Sequence, residues 1–181
     1  MTQITVADTV LAKARAVRLL VLDVDGVLTD GRLFFDHEGR EYKTFHARDG
    51  HGLKLLKRCG IEVAVISGRR SDIVELRMRQ LGIEHVYQGH EDKVEVFTHL
   101  LTRLALPPEA CAMVGDDWLD LPLLRRAGLA VAVQDAHDEL SAHVDWVTTL
   151  PGGQGAVREV CDLLMRAQGH WQARLEHYLC A

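Results

Sequence analysis

Two aspartates, Asp23 and Asp25, stand one residue apart where an apolar run gives way to a glycine, in the stretch LVLDVDGVLT. Carboxylates this close repel unless a cation lies between them or one keeps its proton, so the pair points to a hard-metal site, an acid/base couple, or both. Asp25-Gly26 by itself says little, because Asp-Gly commonly marks a turn after a strand. Asp23 is harder to dismiss. It interrupts Val17 to Val27, which otherwise reads as buried parallel strand, and a carboxylate there is costly unless it is paired or bound to metal. The chemistry that uses both is phosphoryl transfer, with Asp23 as nucleophile and Asp25 as the acid/base serving first the leaving oxygen and then water.

Three further polar exceptions follow apolar runs. Ser67-Gly68-Arg69 comes after Ile61 to Ile66, Lys93 opens the helical stretch beyond His85 to Gln88, and Gly115-Asp116-Asp117 comes after Ala110 to Val114. Each has an ordinary reading: a turn or capping serine, a solvated helix lysine, a loop or N-cap pair. Their joint placement beyond several strands does not, since in an open α/β sheet those ends form the ligand crevice. Asp23, Asp116 and the backbone carbonyl of Asp25 would hold an octahedral Mg²⁺. Ser67 Oγ and the neighbouring N–H groups at Gly68 would hold the phosphoryl oxygens, while Lys93 balances phosphate and Asp23. Asp117 or Asp120 would orient ligands or water.

The elements that must position these groups alternate along the chain. Strand-like runs occur at 18–24, 61–66, 85–88, 110–114, 129–133 and 145–147, with helical patterns at 51–58, 71–81, 93–104, 119–127, 138–142 and 155–168. This predicts an α/β fold: a doubly wound, Rossmann-like parallel sheet with helices on both faces. One segment breaks the rhythm. Residues 32–35 and 41–45, around Asp36-His37-Glu38-Gly39, read as a β-hairpin inserted over about 31–46. Its aromatics, Phe34, Phe35, Tyr42 and Phe45, need a partner surface, because a lone hairpin is marginal in water; a contact between subunits is expected.

With 181 residues the chain is expected to form a single domain over 1–181, ending in a glycine-rich segment and helix across 152–181. The excess of 26 acidic over 21 basic residues, a net charge of −5, argues against a nucleic-acid surface. Cys59, Cys111, Cys161 and Cys180 are too scattered for a zinc site or a disulfide framework. No apolar run reaches membrane-spanning length, and MTQITVADTVLAKARAV lacks a signal-peptide core, so no membrane partner and a cytoplasmic location are expected. The histidines lack paired ligand spacing.

DVDGVLTDG, ISGR, Lys93 and GDDWLD resemble, in order and spacing, the four motifs of the haloacid dehalogenase-like phosphohydrolase superfamily. Within it, the hairpin, FHARDGHGLKLL, LGIEHVYQG, VAVQDAH and GGQGAVREVCDLLM are most similar to the capless 3-deoxy-D-manno-octulosonate 8-phosphate (KDO 8-phosphate) phosphatase family. The likeness spans most of 19–168.

That resemblance implies a Mg²⁺-assisted aspartyl-phosphate route on Asp23, Asp25 and Asp116, a small sugar-phosphate substrate of lipopolysaccharide precursor synthesis, and a homotetramer in which a neighbour covers the site. The spans 25–67 and 67–93 are too short for a full lid, which fits. It also implies that Gly152 to Arg158 can reach the adjacent subunit's pocket. A carboxylate-bearing sugar calls for cations beyond the phosphate, for which Arg48, Lys54, Arg69 and Arg158 are candidates, with Asp49 and Gly50 at the crevice mouth. Arg48-Asp49-Gly50 equally reads as a helix start capped by Asp49. A phosphatase of another nonulosonate 9-phosphate, or a noncatalytic assembly domain of the same fold, stays open at this point. Trp171, Leu175 and Tyr178 give the tail helical spacing without a motif.

Overall fold

The computed structural model describes residues 6–90 and 92–180; Met1 to Thr5, which open the N-terminal stretch considered above, lie outside them. Short runs of Val, Leu, Ile and Ala form six parallel strands: β1 (Leu19–Leu22), β4 (Glu62–Ser67), β5 (His85–Gln88), β6 (Cys111–Gly115), β7 (Leu129–Ala132) and β8 (Trp146–Val147). Their spatial order is β5-β4-β1-β6-β7-β8, every pair parallel. The expected doubly wound sheet is present. β1 lies between β4 and β6, so the strand order reverses there and a crevice opens beyond the carboxyl ends of these three strands.

Strand alternation divides the core in two. Leu20 and Leu22 of β1, with Val63, Val65, Ala112, Val114, Leu129 and Val131, face one apolar layer. Leu19, Val21, Ala64, Ile66, Cys111 and Met113 face the other. The first layer is covered by α1 (Asp8–Ala16), α2 (Ala47–Arg58), α3 (Asp72–Leu81) and α6 (Ala156–Ala167), the second by α4 (Lys93–Leu104) and α5 (Leu121–Leu124). Both faces of the sheet are buried, so its strands read as continuous apolar runs. Among the described residues no helix is long and apolar enough to cross a membrane.

Four local expectations need correction. Helix α1 has no counterpart in the sequence reading: only Val10 and Ala14 of its nine residues are buried, a stripe too thin to register as amphipathic. Gln168 Nε2 fastens its end by donating to the carbonyls of Ala14 (3.0 Å) and Val17 (2.8 Å). Helix α2 begins at Ala47, four residues before the expected 51, with His46 as N-cap. Asp49 therefore lies inside the helix and does not cap it. The stretch 119–127 forms a 3₁₀ turn, Trp118–Asp120, followed by the four-residue α5, and 138–142 is likewise a 3₁₀ turn.

The inserted hairpin forms, but with strands of only two residues each, β2 (Phe34–Phe35) and β3 (Glu41–Tyr42). Asp36 organises its turn by accepting from the N–H groups of Glu38 (2.9 Å) and Arg40 (2.8 Å). Leu33, Phe34, Phe35 and Tyr42 are each about half exposed. The last helix is α7 (Trp171–Leu179), where the tail's helical spacing placed it, and it has no buried residue.

Candidate active site

Asp23, Ser67 and Asp116 are where the sheet puts them, immediately after β1, at the end of β4 and immediately after β6. The carboxylate of Asp23 is buried, and its N–H continues the ladder by donating to Val114 O (3.2 Å). After it the chain must turn sharply. Thr29, fully buried, stitches that turn by donating to Val24 O and accepting from the N–H groups of Gly26 (3.4 Å) and Gly31 (3.3 Å). Gly26 has φ +99°, and a Cβ there would lie 2.0 Å from Asp116 Oδ2. Only glycine lets this loop pass against the carboxylate.

Carboxylate oxygens of Asp23, Asp116 and Asp120 all lie within 4.8 Å of one another. Lys93, first residue of α4, is buried among them, with Nζ 2.7 Å from Asp23 Oδ1 and 2.8 Å from Asp120 Oδ1. One ammonium thus faces three carboxylates. Burial chiefly, then repulsion from Asp120, pushes Asp23 up from 3.8 to about 7 despite Lys93. Burial, then Asp120 and Asp23, pushes Asp116 up to about 8. Burial works against the charged form of Lys93, but Asp120 and Asp23 outweigh it and hold the ammonium above its usual range.

This imbalance is what a divalent cation corrects, and an all-oxygen donor set suits Mg²⁺. Asp120 was one of two candidates for an orienting role, and the geometry separates them. Its Oδ1 accepts from Lys93 and its Oδ2 from Asp116 N (3.0 Å), so both oxygens are committed. Asp117 is exposed and accepts from Trp118 N (2.7 Å), capping the 3₁₀ turn.

The crevice encloses about 480 Å³, and Asp25, Ser67, Gly68 and Arg69 line it together with Asp23, Lys93 and Asp116. Ser67 Oγ accepts from Arg69 N (3.3 Å), the short-range bond of a turn serine. Asp25 is flanked by two cations: Lys43 Nζ contacts its Oδ1, and Arg69 Nε lies 3.4 Å from its Oδ2. Glu41 Oε1 lies 3.3 Å from Lys43 Nζ and 3.0 Å from Arg69 Nη2. Sequence reasoning missed Lys43 and Glu41. Nothing in YKTF distinguishes a buried lysine from a solvated one.

Arg48, Asp49, Gly50, Lys54 and Arg158 are not among the residues lining this crevice. Arg48 and Lys54 are exposed on α2. Asp49 is buried and serves α6 instead, its Oδ1 accepting from Arg158 N (2.8 Å). Gly155, the N-cap of α6, offers no side chain, so Asp49 supplies the missing acceptor from another helix. Burial raises the Asp49 carboxyl above its usual range, opposed by that N–H. The Arg158 side chain pairs with Asp162 (2.6 Å).

The glycine-rich segment packs against the loop after β1. Gly153 N donates to Val27 O (3.0 Å), and a Cβ on Gly152 would fall 1.6 Å from Gly26 O. Gly152 to Arg158 therefore buttresses this chain's own catalytic loop.

Comparison with known proteins bears on the same residues. The haloacid dehalogenase-like hydrolase model matches residues 46–128. The 3-deoxy-D-manno-octulosonate 8-phosphate phosphatase KdsC of Escherichia coli K12 is 51% identical over 164 residues, 91% of this chain and 87% of its own length. The crystal structure of the Yersinia pestis phosphatase of the same name superposes with a TM-score of 0.91 at 46% identity, covering 92% of this chain and 90% of that one. The Moraxella catarrhalis phosphatase, solved with magnesium, phosphate and KDO, gives 0.92 at 40% identity, covering 94% and 98%. With these relatives and this arrangement of carboxylates, the chain belongs to the KDO 8-phosphate phosphatase family of haloacid dehalogenase-like hydrolases.

Proposed function

We propose that the protein is a Mg²⁺-dependent phosphatase that hydrolyses KDO 8-phosphate to the free sugar acid and phosphate, a step of lipopolysaccharide precursor synthesis. The observation that carries this is the buried Asp23–Lys93–Asp120 cluster beside Asp116, with Asp25 two residues from the nucleophile. A merely structural descendant of the fold has no physical reason to keep such an excess of buried negative charge.

Asp23, Asp116 and the Asp25 carbonyl would hold Mg²⁺. The ion supplies charge neutralisation that lets an anionic carboxylate approach an anionic phosphate. Asp23 Oδ attacks phosphorus, the bond to the sugar oxygen breaks, and the Asp25 carboxyl gives that oxygen its proton. Asp25, now a carboxylate, takes a proton from the water that opens the aspartyl phosphate. Lys93 favours the attacking, ionised form of Asp23 and, with Ser67 Oγ and the Gly68 N–H, faces the transferring group.

Arg69 is the cation best placed for the sugar carboxylate, because it lines the crevice and is half exposed there. Arg48, Lys54 and Arg158, with Asp49 and Gly50, would act on substrate only from outside this crevice or within an assembly. The half-exposed Leu33, Phe34, Phe35 and Tyr42 support self-association through the hairpin, as a homotetramer whose neighbour closes the site. A cytoplasmic setting accords with a diffusible phosphate ester as substrate.

The test is phosphate release from KDO 8-phosphate and from a sialic-acid-type 9-phosphate, each with Mg²⁺ and with EDTA. Magnesium-dependent turnover favouring KDO 8-phosphate is expected. Preference for the 9-phosphate would reassign the substrate, and no turnover of either would remove the activity.

A further inference from the structure

Hairpin residue Lys43 stands apart from its neighbours. While Phe34, Phe35 and Tyr42 are half exposed, the Lys43 side chain is 1% exposed. A buried ammonium is costly unless it is matched, and this one is matched by Asp25 Oδ1 and Glu41 Oε1. We infer that Lys43 is a positioning residue, which reaches from the hairpin to hold the Asp25 carboxyl against the leaving oxygen of the substrate. This rests on the phosphatase reading above and adds a role for the hairpin within its own subunit.

Asp25 follows Asp23 on a turning loop, and its side chain is only 19% exposed, so water does little to orient it. Each of its oxygens faces one cation. Arg69 holds Oδ2 from 3.4 Å with a side chain that is 46% exposed and shared with Glu41. A guanidinium so placed is free to turn toward an incoming sugar carboxylate. Lys43 has no such freedom. It does not line the crevice, its side chain is buried and two carboxylates hold it, so Asp25 keeps one fixed contact when Arg69 engages substrate. Glu41 keeps the pair from collapsing, since it draws on both cations and leaves neither wholly to Asp25.

What Lys43 secures is proton delivery. As the phosphorus–oxygen bond breaks, its electron pair goes to the sugar oxygen, which takes the proton from Asp25 and leaves a carboxylate behind. A sugar alkoxide is a poor leaving group and needs that proton; p-nitrophenolate leaves without it. A displaced Asp25 therefore slows phosphoryl transfer from the sugar ester and spares transfer from the aryl ester.

The experiment measures the first turnover of Mg²⁺-loaded wild-type, Lys43→Met and Lys43→Arg proteins on KDO 8-phosphate and on p-nitrophenyl phosphate in rapid mixing. For Lys43→Met, the sugar-ester first turnover is expected to fall roughly tenfold to hundredfold, with KM little changed. Release of p-nitrophenolate in the first turnover is expected to change by less than about threefold. Lys43→Arg, which restores the charge, recovers most of the sugar-ester rate. Equal losses on both esters would mean a structural role and overturn the inference, as would an undiminished sugar-ester rate. Wild-type protein inactive on both esters would instead overturn the phosphatase reading itself, and the inference with it.

Discussion

Two groups of charges meet at the crevice, and they are built differently. The floor, Lys93 between Asp23 and Asp120, hangs from strands β1 and β6 and helix α4 and is largely buried at the base of the crevice. The rim, with Lys43 and Arg69 between Asp25 and Glu41, joins the hairpin to the end of β4, and Arg69 and the hairpin aromatics face solvent. Chemistry that must not vary, bond formation to phosphorus, sits on the packed sheet. Chemistry that must follow the substrate, proton delivery and recognition of the sugar, sits on the loops and hairpin that border the sheet.

The sharpest break between the two is at the nucleophile. Asp23→Asn should lower kcat by roughly 10³-fold or more, because the other floor carboxylate, Asp120, has both oxygens committed to Lys93 and the Asp116 N–H. Its metal-free thermal midpoint should be unchanged or higher, since the substitution removes one of three crowded carboxylates. Calorimetry on the purified variant checks this. A midpoint that drops steeply would mean that Asp23 is needed for folding.

Next in size is the loop under which floor and glycine-rich segment meet. Gly26→Ala forces a Cβ into the Asp116 carboxylate from a φ of +99°, so Mg²⁺ affinity by titration calorimetry should fall about tenfold or more. Gly152→Ala presses on the same loop from below, through Gly26 O, and should lower turnover without touching a single charged residue. Normal activity in Gly152→Ala would break the link drawn between the glycine-rich segment and its own subunit's site.

A pH series separates floor from rim more gently. Asp23 and Asp116 have folded-state pKa values raised from 3.8 to about 7 and about 8, chiefly by burial. Their protonated forms are favoured in the folded chain, so the stability they lend is complete below the ordinary carboxylate range. It is lost as pH climbs through 7 and 8. Mg²⁺, by neutralising the ionised pair, should therefore raise the melting temperature more at pH 8 than at pH 5. A shift independent of pH would contradict a binding site made of these carboxylates.

The smallest effect belongs to the hairpin surface. Phe35→Ser removes an exposed ring and should cost the subunit less than about 1 kcal/mol, where Leu20→Ala in the core should cost roughly 2–5 kcal/mol. Sedimentation of the Phe35 variant should show a smaller assembly, and an unchanged one would place the subunit contact elsewhere.

The same contrast explains what the sequence discloses. The floor is legible because a carboxylate in the middle of LVLDVDGVLT violates its own environment, and because Ser67, Lys93 and Asp116 each follow an apolar run at a strand end. The rim is not, since the burial of Lys43 depends on Asp25, Glu41 and Arg69 converging from three separate segments. Sequence likewise leaves Asp117 and Asp120 as equals, and only the turn after β6 decides that Asp120 points inward. Asp49 shows the opposite hazard. An Asp before an apolar helical pattern reads as that helix's cap, yet here it caps α6, more than a hundred residues away. Helix α1 escapes notice because its stability comes from packing on α6 and not from its own pattern.

One measurement bears most directly on the division of labour between floor and rim. Asp25→Asn protein, which keeps the nucleophile and loses the base that opens the aspartyl phosphate, is mixed with Mg²⁺ and p-nitrophenyl phosphate, whose leaving group needs no proton from residue 25, then quenched and digested in acid. The peptide containing residue 23 should carry the added mass of one phosphoryl group, absent when EDTA is present and absent in Asp23→Asn. Phosphate release continuing with no adduct on that peptide, or an adduct on another residue, would contradict phosphoryl transfer to Asp23.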